Sequence, residues 1–216
     1  MGRGLAYENG FMKIIDGKLH LSWATRWVHD ALIGLFKRQG WQLFGQAPGV
    51  DKCILLGAPH TSNWDFLFFL GVCAHFGIRP RFMGKDSLFR WPMTRFMREM
   101  GGVAVVRSSS QNYVDQMVAA FAAEDNFSLV VAPEGTRKMV REWRSGFYHI
   151  AVGAGVPVVC GWVDLPRKRG GLSQPIAMCG DFKVDLAKIA DFYRSVLPDH
   201  PKLAILHRMV EGMIAI

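Results

Sequence analysis

No Cys-x-x-Cys pair occurs in the chain, and its four cysteines, Cys53, Cys73, Cys160 and Cys179, lie far apart, mostly within apolar runs. That spacing argues against a metal centre and against dithiol redox chemistry. It suits buried thiols in a reducing compartment. No apolar stretch reaches the roughly 18 consecutive residues that a membrane-spanning helix needs. The N-terminus carries no apolar run behind basic residues, so no signal peptide is expected. Gly-x-Ser-x-Gly is missing too, which removes the nucleophile elbow of α/β hydrolases. Zinc-finger spacing, basic-zipper patterning and aromatic RNA-binding signatures are lacking, so nucleic acid is not an expected partner.

What is present fits one folded domain. Half of the 216 residues are apolar and 20% are charged, an ordinary globular balance. The formal net charge is +8, from 26 Lys+Arg against 18 Asp+Glu. Such an excess attracts anionic lipid surfaces and phosphorylated small molecules. Between Arg79 and Arg107 stand seven basic residues (Arg79, Arg81, Lys85, Arg90, Arg95, Arg98, Arg107) and two acids, Asp86 and Glu99. A second cluster holds Arg137, Lys138, Arg141 and Arg144. Basic clusters also serve simply as solvated surface.

Short apolar runs alternate with helical patterns, as in an α/β domain. The expected architecture is a single domain with a mixed central sheet and helices on both faces. Strands are expected at Cys53–Gly57, Arg81–Met83, Val103–Val106, Phe127–Ala132 and Val156–Trp162, with a further candidate at Ile176–Met178. Helices are expected at Asn63–Phe76, from a cap at Ser109 or Ser110, and at Gly146–Ala154, Asp185–Leu197 and Lys202–Ile216. Arg167–Gly171 reads as a basic loop. Residues 1–45 are expected to form an N-terminal helical segment ahead of a catalytic domain at 46–216. Within that segment Trp23, Trp27, Leu35 and Phe36 alternate with Arg26, His29, Lys37 and Arg38. This pattern suits an interfacial helix and equally a helix packed on the core.

Two strand-to-loop junctions carry the chemistry, since ligands of open α/β sheets gather beyond the carboxyl ends of strands. The first is His60-Thr61-Ser62-Asn63-Trp64-Asp65. If His60 lies in the loop and Asp65 in the first helical turn, the carboxylate orients one imidazole nitrogen and leaves the other as a base. A capped helix behind a turn histidine would look the same. With no enzyme nucleophile evident, the substrate's own hydroxyl becomes the candidate attacking group. The second junction is Glu134-Gly135-Thr136-Arg137. Gly135 permits close backbone approach to a ligand, and Arg137 offers a planar fork suited to phosphate. Pro-Glu-Gly-Thr is also good turn chemistry.

Four blocks in order resemble the glycerolipid acyltransferases. His60 to Asp65 resembles the His-x-x-x-x-Asp block, and Gly84-Lys85-Asp86-Ser87-Leu88 with Pro92, Gly101, Gly102 and Arg107 resembles the second. Pro133-Glu134-Gly135-Thr136-Arg137 and Gly155-Val156-Pro157-Val158-Val159 resemble the third and fourth. The resemblance spans Cys53 to Val163. It implies that His60 is a general base oriented by Asp65, and that Lys85, Arg137 and Arg107 bind acceptor phosphate. Glu134, with Gly135 and Thr136, would organise the acceptor pocket. The donor it implies is acyl-CoA or acyl carrier protein, and the acceptor a lyso-lipid such as lysophosphatidate, or glycerol phosphate. It implies no metal and no bound cofactor. Pro59 stands where many relatives have Asn, Lys138 replaces a small residue, and Cys160 replaces a proline. The apolar hairpin that anchors several relatives to membrane is missing. A cytoplasmic protein is therefore expected, either soluble or peripheral on the inner membrane face. Trp64, Phe89, Trp91 and Phe96 are candidates to line an acyl path. A thioesterase in which His60 activates water, and a non-catalytic lipid-surface module, are the competing readings.

Overall fold

The computed structural model describes residues 7–8, 11–12, 22–62, 64–85, 90–105 and 110–214. Strands β1 (Tyr7–Glu8) and β2 (Phe11–Met12) pair with each other in antiparallel fashion. The main sheet holds β3 (Gln42–Phe44), β4 (Lys52–Gly57), β5 (Pro80–Lys85), β6 (Gly102–Val105), β7 (Phe127–Val131), β8 (Val158–Asp164) and β9 (Arg169–Leu172). Their spatial order is β3-β9-β8-β4-β7-β5-β6. From β8 to β6 every pair is parallel, whereas β9 runs antiparallel to β8 and β3 follows β9. The sheet is mixed, as expected.

Side-chain alternation along β4 explains why the sheet is covered on both faces. Ile54 and Leu56 join one core with Leu129, Val158 and Cys160, and Cys53 and Leu55 join the other with Val159 and Leu172. On the first face lie α4 (Ser110–Ala123), α5 (Gly146–Ala154), α6 (Phe182–Val196) and α7 (Ala204–Ile214), contributing Phe121, Phe147, Ile189 and Leu206 to the core. On the second lie α1 (Trp23–Arg38) and α2 (Trp64–His75), contributing Phe36, Phe68 and Val72. Phe36 sits against Gly71 of α2, where a Cβ would lie 2.5 Å from its ring. The short α3 (Thr94–Glu99) receives the start of α1: the Ser22 N–H and hydroxyl donate to Glu99 at 3.1 and 2.7 Å.

Several elements depart from the expectations. Arg167–Gly171 is largely strand, not loop, because β9 begins at Arg169. Its glycines serve close packing: a Cβ on Gly170 would lie 2.2 Å from the Phe68 ring, and one on Gly171 would lie 2.0 Å from the Phe44 carbonyl oxygen. Ile176 contributes a single bridge to Val158 and no strand. β1, β2 and β3 fall within residues 1–45, expected to be helical, with β3 paired to β9, and α3 has no counterpart among the expected elements. Cys179 is exposed, whereas Cys53, Cys73 and Cys160 are buried. No helix among the described residues is long and apolar enough to cross a membrane.

Candidate active site

Strand β4 stops where Pro59 withdraws a backbone donor, leaving His60 just beyond the carboxyl end of the sheet. Asp65 stands in the first turn of α2, a favourable place for a carboxylate. The pair is joined: His60 Nδ1 lies 2.9 Å from Asp65 Oδ2. The same carboxylate accepts the Thr61 and Ser62 N–H groups at 2.5 and 2.8 Å, and both hydroxyls at 3.2 Å. Asp65 thus ties the whole loop to the helix, and with Nδ1–H donated to it, His60 Nε2 keeps its lone pair. Burial pushes the Asp65 carboxyl up, but the bonds from His60, Ser62 and Thr61 outweigh this and hold it below its ordinary value.

Strand β7 delivers the second junction at the same edge. Gly135 N–H donates to the Ala132 carbonyl at 3.0 Å, closing a turn in which Gly135 takes a φ of +64°. That conformation is strained for any residue with a Cβ, and a Cβ there would also lie 2.9 Å from Arg144 Nε. Thr136 and Arg137 are exposed beyond it. Glu134 turns inward and is buried. Its Oε1 accepts the His60 backbone N–H at 3.2 Å, and its Oε2 accepts Lys202 Nζ at 2.7 Å. Burial lifts the Glu134 carboxyl above its ordinary value, against the pull of Lys202 and the His60 N–H.

Between α2 and the sheet an apolar cavity of about 180 Å³ opens at this edge. Leu55, Phe68, Phe69, Val72, Phe82 and Trp162 line it, with His60 and Asp65 at its polar end. The arrangement is therefore an oriented imidazole at the end of an alkyl-sized slot. Its aromatic wall differs from the expected one. Trp91 is 91% exposed, Phe96 is half-buried on α3 away from the cavity lining, and Phe89 and the Trp64 side chain lie outside the described residues. Phe68 and Phe69 were signalled by their position, three and four residues after Asp65 on one helix.

Of the expected site residues, the structure joins His60, Asp65 and Glu134 directly and sets Gly135, Thr136 and Arg137 on the adjoining turn. Lys85 closes β5, which runs parallel to β7 and ends at the same edge. Its side chain, and Arg107, lie outside the described residues. Lys202 had no sequence signal: it follows Pro201 in the turn between α6 and α7, 142 residues from His60.

A family model described as Acyltransferase matches residues 48–164, which is 117 of the 216 residues. The chain belongs to the acyltransferase family. The matched span contains both junctions and ends before Lys202. Among solved structures, the acyltransferase is similar to the 1-acyl-sn-glycerophosphate (LPA) acyltransferase PlsC from Thermotoga maritima, with a TM-score of 0.50 and 20% identity over 89% of this chain and 82% of that one. At that identity the likeness establishes the shared fold. A comparison with curated proteins finds no match.

Proposed function

We propose that the protein transfers a fatty-acyl group from acyl-CoA or acyl carrier protein to the hydroxyl of lysophosphatidate or a related lyso-lipid. The observation that carries this reading is the His60–Asp65 contact at the polar end of the apolar cavity. A cavity of this size matches one that admits a benzene ring, roughly 150 Å³ in an engineered core. It has room for the first part of an acyl chain, with the thioester carbonyl held near His60.

In this reading the acceptor oxygen attacks the thioester carbonyl as its proton passes to His60 Nε2. Asp65 holds the ring and stabilises the imidazolium. The tetrahedral intermediate then collapses, the C–S bond breaks, and the imidazolium returns the proton to the departing sulfur. No cofactor enters the scheme. Lys85 and Arg137, with Arg107, neutralise the acceptor phosphate, while Glu134, Gly135 and Thr136 shape the turn on which Arg137 is presented.

The acceptor lies in a membrane, and α1 offers a means of reaching one. Trp23 and Trp27 are 85% and 71% exposed on that helix, with Arg26 exposed between them. Indole rings beside a cation suit an anionic lipid interface, which supports a peripheral protein; in this reading it works on the inner membrane face from the cytoplasm.

The test is acyl transfer by the purified protein, read by mass. Acyl-CoA and acyl carrier protein donors are set against phosphate-bearing and phosphate-free acceptors. His60→Ala is expected to lower kcat by roughly 10²–10⁴-fold with the fold intact, and near-wild-type turnover would overturn the proposal. Lys85→Ala and Arg137→Ala are expected to raise the acceptor KM more than the donor KM. Free fatty acid released at a rate no acceptor suppresses would identify a thioesterase instead.

A further inference from the structure

Lys202 is a buried lysine that stands outside the span matched by the family model. It lies in the turn between α6 and α7, held by Leu203 N–H donating to the His200 carbonyl at 2.9 Å and by the buried Leu203 side chain. An ammonium has three protons to place, and Lys202 Nζ has three acceptors. It donates to Glu134 Oε2 at 2.7 Å, to the Lys138 carbonyl at 3.3 Å, and to the His60 carbonyl. Two of these acceptors belong to the acceptor turn and one to the catalytic loop. Glu134 closes the circuit from the other side, since its second oxygen accepts the His60 N–H at 3.2 Å. The peptide groups on both sides of the His60 Cα are therefore fixed by one buried ion pair.

We propose that Lys202 is a positioning residue for acyl transfer: it locks the His60 loop to the Glu134–Lys138 turn and holds Glu134 where it accepts the His60 N–H. The proposal rests on the acyltransferase reading above, and adds a residue from the C-terminal helical hairpin to a site built otherwise from strand ends. Lys202 touches no reacting atom. Its effect is on where the imidazole stands, and a misplacement of about 1 Å costs on the order of 10²-fold in rate. It also acts on the charge of Glu134. Burial already favours the neutral carboxyl, so removing the ammonium raises that pKa further.

The experiment compares Lys202→Met, Lys202→Arg, Glu134→Gln and the Glu134→Gln/Lys202→Met double variant, each checked by its thermal midpoint. Lys202→Met is expected to lower kcat by roughly 10²-fold, leave the donor KM within about 3-fold, and move the acid limb of the kcat profile to higher pH. Lys202→Arg, which keeps the charge but not the three-way fit, is expected to recover part of kcat and the original acid limb. The double variant is expected to be no slower than Glu134→Gln, because the two side chains act as one unit. Turnover of Lys202→Met within about 3-fold of wild type with an unchanged acid limb overturns the proposal, as does full additivity in the double variant. Should Lys202→Met not fold, the Lys202→Arg and Glu134→Gln profiles decide. A kcat that both leave within about 3-fold of wild type overturns the proposal. One measurement needs no substrate: in 13C-Glu-labelled protein the Glu134 carboxyl should titrate at higher pH in Lys202→Met than in wild type. A wild-type enzyme that transfers no acyl group sinks the functional reading. The titration then decides the tie itself, an unshifted Glu134 overturning it.

Discussion

Asp65 accepts hydrogen bonds from two backbone N–H groups, two hydroxyls and His60, and this convergence sets how the site responds to acid. Its carboxyl is held below the ordinary range, so the folded chain keeps that charge to lower pH than the unfolded chain does. The resulting stability is fully present above the unfolded pKa of about 3.9. It is lost as pH falls through the lower, folded value. Asp65→Asn should therefore flatten the acid arm of the urea-midpoint profile below about pH 4. Parallel profiles for variant and wild type down to pH 3 would show that the carboxylate is not specially stabilised. That His60 and Asp65 can meet was readable from their spacing, because five residues across a loop-to-helix junction leave few geometries. The inward turn of Glu134 was not readable, because its partners are a backbone N–H and a lysine from distant segments.

At the scale of elements, α2 is the part on which the site hangs. Its N-terminus carries Asp65, its next turn supplies Phe68 and Phe69 to the cavity, and Gly71 receives the Phe36 ring of α1. Gly71→Ala gains about 1 kcal/mol of helix propensity but places a methyl 2.5 Å from the Phe36 ring. Overpacking costs about 1–3 kcal/mol, so a net loss is expected. It would read as a midpoint lower by about 2–4 °C per kcal/mol, with recovery on adding Phe36→Leu. A midpoint raised by Gly71→Ala alone would mean that α1 does not press on α2. Mostly apolar elements such as α5 and the buried β4 were legible from their run of apolar residues. β9 was not, since two glycines in four residues read as a loop, and their purpose appears only when Phe68 and Phe44 are seen against them. β3 and α3 are too short, at three and six residues, for a period to show.

The whole molecule is a sheet with a core on each face, and its cysteines sample both. Cys53 and Cys73 lie in the core under α1 and α2, and Cys160 in the core under α4 to α7. Burial raises all three thiols, Cys160 to about 12, so none offers a thiolate in the folded state. Native protein treated with a maleimide should take one label at Cys179 quickly. The other three should react together, at a rate that tracks global unfolding. Separate rates for Cys53 and Cys160, read by peptide mass, would show that the two faces open independently.

The sequence by itself determined the fold class and the two strand-to-loop junctions, and it put His60 and Asp65 within reach of each other, because each of these is written in residues close together along the chain. Only the tertiary structure decided which aromatic rings wall the cavity and how Glu134 faces inward. It alone revealed that Lys202, 142 residues from His60, bonds the His60 loop to the Glu134–Lys138 turn. A contact of that kind depends on how the α6–α7 turn docks across the sheet edge, and no local pattern around a single lysine between Pro201 and Leu203 encodes it.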